Sequence, residues 1–247
     1  MEMSKGQKLL INVMRALQKH DAQNNSIRKE LLEKRIYLGR LESLGKKFEI
    51  SFAKELKKVI SHSKTVLVDC PITLEKSSGE RAITLYPDIA IIENNELKAI
   101  IELKLDGGWL GKALELENIK KIKKNNKRLL NSKEITYKEK KEHDEKRIEE
   151  KGKPKDSKNK IAVSPEFFGV AIVWMKDRNN HRRCTEEYLN FMRRELNYRT
   201  LGVIDGNKEE HDIRCSSYKK VEKEFRKQVA KPSKKREIDK AFNGLIQ

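Results

Sequence analysis

The chain has 247 residues, enough for one α/β domain with elaborations and too few for two or three independent ones. Charged residues make up 38% and hydrophobic ones 36%, so a core requires the apolar residues to be concentrated in a few segments. A net charge of +18 points to a polyanionic partner, nucleic acid first; no apolar stretch approaches the about 18 residues of a membrane span, and Met1–Leu10 carries no signal-peptide pattern, so a soluble cytoplasmic protein without a membrane partner is expected.

Lys8–Leu17 and Ile27–Leu44 carry apolar residues at helical spacing and read as two helices, with the polar joint HDAQNNS between them and Ser26 as N-cap of the second. Leu10, Leu17, Leu31 and Leu38 fall on a seven-residue grid that Asn24 interrupts, which favours docking on the core over a coiled coil. From Gly45 onward, KKFEISFAKELKKVI sets Phe48, Phe52, Leu56 and Val59 or Ile60 on one helical face, with Glu49 at its border. Thr65–Leu74, Ala82–Ile92 and Leu97–Leu105 read as strands of an antiparallel meander, separated by KSSGE and ENNE turns. A helix follows the Gly107-Gly108 break, from Trp109 to about Leu130, and its second half is strongly basic.

Ser132–Lys160 is almost wholly polar and reads as an insertion, either a solvated helix extension that breaks at Gly152 or a segment that orders on binding. Phe167–Met175 is a continuous apolar run of the kind buried on both faces of a sheet, in a parallel pair. Thr185 caps a helix through about Asn197, and LGVID reads as a last strand; the tail from Arg214 is basic, with VEKEFRKQV able to form a helix. The expected fold class is α/β, an α/β/α sandwich around a mixed sheet. Its expected parts are an N-terminal helical region at 1–44, a core at 45–131 and 161–210, the insertion at 132–160 and a basic tail at 211–247.

Asp88 follows Pro87 in one strand, and Glu102 and Lys104 lie two apart on the next, so the latter two side chains leave the same face. A hairpin turning at Asn94-Asn95 with Glu93 opposite Glu96 sets Pro87 against Glu102. Asp88 then joins the pair only if a bulge at the proline or a longer turn shifts the register by one. Two carboxylates beside an ammonium make chemical sense when a divalent cation completes the site, and such a site suits phosphodiester hydrolysis.

Tyr86-Pro87-Asp88 and Glu102-Leu103-Lys104 resemble the motif of the PD-(D/E)XK nuclease superfamily, which includes many type II restriction endonucleases and RecB-like and Holliday-junction nucleases. The element order from Gly45 to about Met175 is similar as well. The resemblance implies a restriction-endonuclease-like core and a Mg²⁺ ion, replaceable by Mn²⁺, contacted by Asp88, Glu102 and the Leu103 carbonyl, with Lys104 beside the scissile phosphate. Many members carry a further acid on the first core helix, and LGKKFE puts Glu49 there, which implies a further metal or water ligand. Where some members have a glutamine after the motif, this chain has Lys112, Glu115 and Glu117. The expected activity is that of a Mg²⁺-dependent endonuclease on duplex DNA, of restriction or phage-defence type, with RNA and a homodimeric state left open. The alternative is a non-catalytic nucleic-acid-binding protein on a nuclease-like scaffold.

The ExK triplet recurs at Glu55–Lys57, Glu96–Lys98, Glu139–Lys141 and Glu149–Lys151, so only its place at the end of an apolar strand selects Glu102. Glu55 competes with Glu49 as the helical acid. Between Ile119 and Lys160, 17 Lys and Arg face 8 Asp and Glu, which makes Lys120, Lys121, Lys123, Lys124, Lys127 and Arg128, together with Lys112, candidate phosphate contacts; Lys231–Arg236 is a second basic run. Cys70, Cys184 and Cys215 have no metal-site spacing and read as reduced structural thiols, and none of the five histidines has ligand spacing. Trp109 reads as a packing residue more readily than as a base-stacking platform.

Overall fold

The computed structural model describes residues 2–33, 44–74, 82–106, 110–139, 157–175, 182–204 and 218–246. Helix α1 (Lys5–Glu33) opens on a capping box: the Gln7 amide donates to Ser4 Oγ (3.3 Å), and the Ser4 amide donates to Gln7 Oε1 (2.7 Å). It buries Leu9, Leu10, Val13, Met14 and Leu17. Contrary to the expected two helices, α1 runs unbroken through His20–Ser26. That joint holds neither Pro nor Gly, and Asp, Asn and Ser inside a helix cost only tenths of a kcal/mol each. The rest of the expected second helix, 34–43, lies outside the described residues. Helix α2 (Leu44–Val59) buries Phe48, Phe52, Leu56 and, just beyond its end, Ile60, the face read from their spacing.

The expected strands at 65–74 and 82–92 are each cut in two, into β1 (Thr65–Val68) and β2 (Ile72–Leu74), and β3 (Ile83–Leu85) and β4 (Ile89–Glu93). Both halves keep one antiparallel register, Val68 opposite Ile89 and Ile72 opposite Leu85, so they form a single long hairpin that breaks at a corner. Pro71 and Pro87 stand at the break, where neither can donate to the ladder. Asp69 there takes the left-handed conformation at φ 50°, which a short Asp side chain tolerates.

Strand β5 (Glu96–Asp106) pairs antiparallel with β4, completing the expected meander. Helices α3 (Leu110–Ala113) and α4 (Leu116–Asn131) follow. The insertion reading is overturned at both ends. β6 (Glu134–Glu139) pairs antiparallel with the first part of β7 (Ser157–Met175), and it buries Ile135 and Tyr137 by the ordinary alternation of a strand. Residues 140–156 between them lie outside the described residues. The later part of β7 is parallel to β5, as expected of Phe167–Met175, and parallel to β8 (Arg199–Ile204) on its other edge. The strand order is β1-β4-β5-β7-β6-β2-β3, with β8 also on β7, so the protein is α/β with a mixed sheet. Its far half, β6-β2-β3, is reached by the corner in the long hairpin.

Helix α5 (Arg182–Glu195) packs with α3 and α4 in one core cluster, whereas α1 and α2 pack on the sheet in the other. The C-terminal segment is no tail. It forms α6 (Tyr218–Ala230) and α7 (Pro232–Phe242), which bury Val221, Phe225, Val229, Ile238 and Phe242 in the α1–α2 cluster. Phe225 stacks on the fully buried Trp174 of β7 at 5.6 Å, and the Gln7 amide side chain donates to the Val229 carbonyl (2.6 Å). Lys234, in the second basic run, is 5% exposed and donates to the Gly202 carbonyl, so it serves the fold and not a phosphate. No helix among the described residues is long and apolar enough to cross a membrane.

Glu222 joins α6 to α1. Its Oε1 accepts from Arg226 Nε (2.8 Å) and from Arg15 Nε (3.0 Å), and these cations hold its carboxyl below the usual glutamate range. The native state therefore binds fewer protons than the unfolded chain just below about pH 4.3, so this stabilisation is present above that pH and is lost as the pH falls through the folded-state value. Glu222→Gln is expected to cost about 1 kcal/mol at pH 7, a fall in Tm of about 2–4 °C, with wild type and variant converging near pH 3 in thermal melts.

Candidate active site

The register shift that brings Asp88 to Glu102 exists, but it lies elsewhere than expected. Glu93 pairs with Glu96 and Ile92 with Leu97, after which Ile91 pairs with Ala99 and Ile89 with Ile101. Lys98 is thus the extra residue of a bulge on β5. The same point of β5 meets an irregularity in β7, where Leu97 faces Val163 and Ala99 faces Phe168. Pro165 and a bowed Ser164–Phe167 segment account for the skipped residues, and Lys98 Nζ bonds Ser164 Oγ (3.0 Å) and Glu96 (2.6 Å) across it. Carried one residue beyond the last pair, Ile89 opposite Ile101, the shifted register sets Asp88 and not Pro87 against Glu102. Ala90 and Ile100 mark the same face, so Asp88, Glu102 and Lys104 all leave the sheet toward α4 and α5.

Asp88 Oδ2 accepts from the Leu103 amide (2.6 Å) and from Lys104 Nζ (3.1 Å), and Lys104 Nζ also reaches Glu102 Oε2 at 3.4 Å. The carboxylate of Asp88 thereby satisfies a strand amide just beyond the end of the paired β4–β5 ladder. A second acid–base set adjoins it. Lys46 on α2 bonds Glu49 (3.1 Å) and Asp69 (2.8 Å), and the Asp69 amide donates to the Asp88 carbonyl (3.0 Å). Of the two helical acids, Glu49 adjoins this corner through Lys46, whereas Glu55 pairs with Lys58.

Burial pushes the Glu102 carboxyl up, and the charges of Asp88 and Glu49 add to this against the pull of Lys104. Glu49 is raised for the same reasons, burial first and the charge of Asp88 next, against the Lys46 bond. Burial disfavours the Lys104 ammonium, but Glu102 and Asp88 outweigh it and hold the group above the usual lysine range. Burial also raises the phenols of Tyr188 and Tyr198, and the Glu102 charge adds to both. The corner thus carries an excess of carboxylate charge that two lysines only partly offset.

Among the described residues, no three His, Cys, Asp or Glu side chains are grouped closely enough to hold a metal by themselves. A Mg²⁺ ion commonly takes only one or two carboxylates and keeps several waters, so the Asp88–Glu102 pair is a donor set that fits it. Leu103 adds a backbone oxygen, because strand geometry sends its carbonyl to the same edge as its N–H. Glu49 is near enough for its charge to be felt at Glu102, and it is bonded to Lys46. Asp69 and Lys46 were missed in the sequence, although an Asp at the end of an apolar strand was a visible signal.

Lys120, Lys121, Lys124 and Lys127 are exposed on α4; Lys123 is exposed too but paired with Glu195, and Arg128 is half-buried. Lys112 falls in α3, while Trp109 and Cys215 lie outside the described residues. Cys70 is buried, and Cys184 is half-buried.

Beside Glu102 lies a cavity of about 160 Å³ lined by Tyr86, Pro87, Ile100, Asn126 and Tyr198, among others. Gly169 makes room for the Tyr198 ring in that wall, because a side chain at the glycine would collide with it. The inner stripe of α4 runs Ile119, Ile122, Asn126, Leu129, so an amide occupies a place where helical spacing calls for an apolar residue. Asn126 Oδ1 is buried and has no hydrogen-bond partner among the described residues. Compared with known proteins, the chain matches no family model, no curated sequence and no solved structure.

An unpaired buried amide costs about 1–3 kcal/mol. Asn126→Leu, of similar size, should therefore raise stability by about 1 kcal/mol in urea titration; a fall would show that the amide is already engaged within the protein.

Proposed function

We propose that this chain is a metal-dependent endonuclease that hydrolyses phosphodiester bonds of DNA, on a core of restriction-endonuclease type. The observation that carries the reading is the convergence of Asp88, Glu102 and Lys104 at the hairpin corner, with Lys104 Nζ 3.1 Å and 3.4 Å from the two carboxylates. The arrangement of α2, the β1-β4-β5 meander and the parallel β7 supports the core assignment. Asp88, Glu102 and the Leu103 carbonyl would hold Mg²⁺, with Glu49 ligating it or a water on it. When bound, the ion would polarise a phosphoryl oxygen and lower the pKa of water.

The chain's own residues do the rest. Lys104 stays cationic at neutral pH, so its charge is available to the oxygen on which negative charge develops during attack. The Leu103 amide fixes the Asp88 carboxylate, and the neighbouring acids share the charge that a cation would relieve. The exposed lysines of α4 supply contacts to the phosphate backbone. A second reading is a nucleic-acid-binding protein without catalysis, in which the same core is a scaffold and the exposed α4 lysines make the phosphate contacts.

With Mg²⁺, purified protein is expected to cut plasmid or linear DNA. Asp88→Asn and Lys104→Ala should each lower the cleavage rate by about 100-fold or more. DNA affinity measured by anisotropy in EDTA should stay within a few-fold of wild type. If DNA and RNA substrates all survive Mg²⁺ and Mn²⁺ uncut, the binding-protein reading replaces the nuclease.

A further inference from the structure

We infer that the cavity beside Glu102 receives one unpaired nucleobase bearing an exocyclic amino group, adenine foremost, from the DNA strand held at the carboxylate corner. The inference rests on the DNA-directed reading of that corner and adds to it a base-reading subsite. Four features support it. The volume, about 160 Å³, lies well below the about 300–1,000 Å³ of pockets for drug-sized ligands, and suits a single planar group. The walls are those of a base receptor: Ile72, Leu85, Ile100 and Leu129 give apolar contact, and two amides, Asn125 and Asn126, give polar edges.

Among the described residues the acceptor Asn126 Oδ1 has no partner, and an asparagine matches the N6 donor and N7 acceptor of adenine in a bidentate pair. Tyr86, the residue before Pro87, is 66% exposed despite its size, and its ring stands at the cavity as a stacking surface. Glu102 and Pro87 belong both to the cavity wall and to the corner. A base seated there would belong to a nucleotide at or next to the phosphate under attack. Extracting a paired base costs unstacking and unpairing, so a base already unpaired is the better ligand.

The experiment is equilibrium binding of the full chain in EDTA, read by fluorescence anisotropy, to end-labelled duplexes that differ at one position. That position carries adenine paired with thymine, adenine opposite an abasic site, or thymine opposite an abasic site. The unpaired adenine should bind about tenfold more tightly than the paired one and than the unpaired thymine. Asn126→Leu, its folding checked by thermal melt, should bring the ratio close to one. Tyr86→Ala, at an exposed ring, should lower it about fivefold.

Equal affinity of wild type for all three duplexes overturns the inference, and so does a preference that survives Asn126→Leu. Because no cleavage is read, a preference for unpaired adenine in a protein that cuts nothing would uphold the subsite while removing the nuclease reading. Cleavage without any preference would do the reverse.

Discussion

The bond from the Leu103 amide to the Asp88 carboxylate, 2.6 Å long, is the contact on which the corner of this protein turns. The paired β4–β5 ladder ends at Ile89 opposite Ile101, so the N–H of the buried Leu103 needs an acceptor from outside the ladder. Asp88 fills that need with a side chain. In doing so it becomes fixed within reach of Lys104 and beside Glu102, and a structural requirement of the sheet gathers charged groups at one place.

That gathering depends on the bulge at Lys98, four residues before Glu102 along β5. Without the extra residue Lys98, Pro87 and not Asp88 would face Glu102, and the two carboxylates would point to opposite sides of the sheet. The bulge is tolerated because β7 bows at Ser164–Phe167 beside it and because Lys98 finds Glu96 and Ser164 as partners. The corner then lets the long hairpin leave one half of the sheet and join β6 in the other. The cavity opens in the angle so formed, against α4, with Glu102 as its link to the acidic cluster.

The charges of the cluster are arranged in alternation. Lys46 lies between Glu49 and Asp69, and Lys104 lies between Asp88 and Glu102. Burial raises two of the acids nonetheless, which is the electrostatic condition under which a divalent cation gains most by binding. On α4 the neighbouring lysines face solvent, so a polyanion approaching the corner meets positive charge first.

Periodicity in the sequence was enough to find the face of α2, the meander and the parallel strand at Phe167–Met175, because burial of apolar side chains at a fixed spacing is a local signal. The adjacency of Glu102 and Lys104 was legible for the same reason: two residues apart on a strand is one face. The sequence by itself also determined that Asp88 needed a shift of one residue to join them. Only the tertiary structure decided that Lys98 supplies the shift, since a bulge depends on what the neighbouring strand can accommodate. It likewise decided that the Lys- and Glu-rich ends of the apparent insertion pair as β6 and β7, and that the basic tail packs as α6 and α7 on Trp174. In each case a few apolar residues among many charges found a distant surface to bury against. Asp69, Lys46 and Asn126 took their meaning from the same source, because the groups that surround them come from elements far apart in the chain.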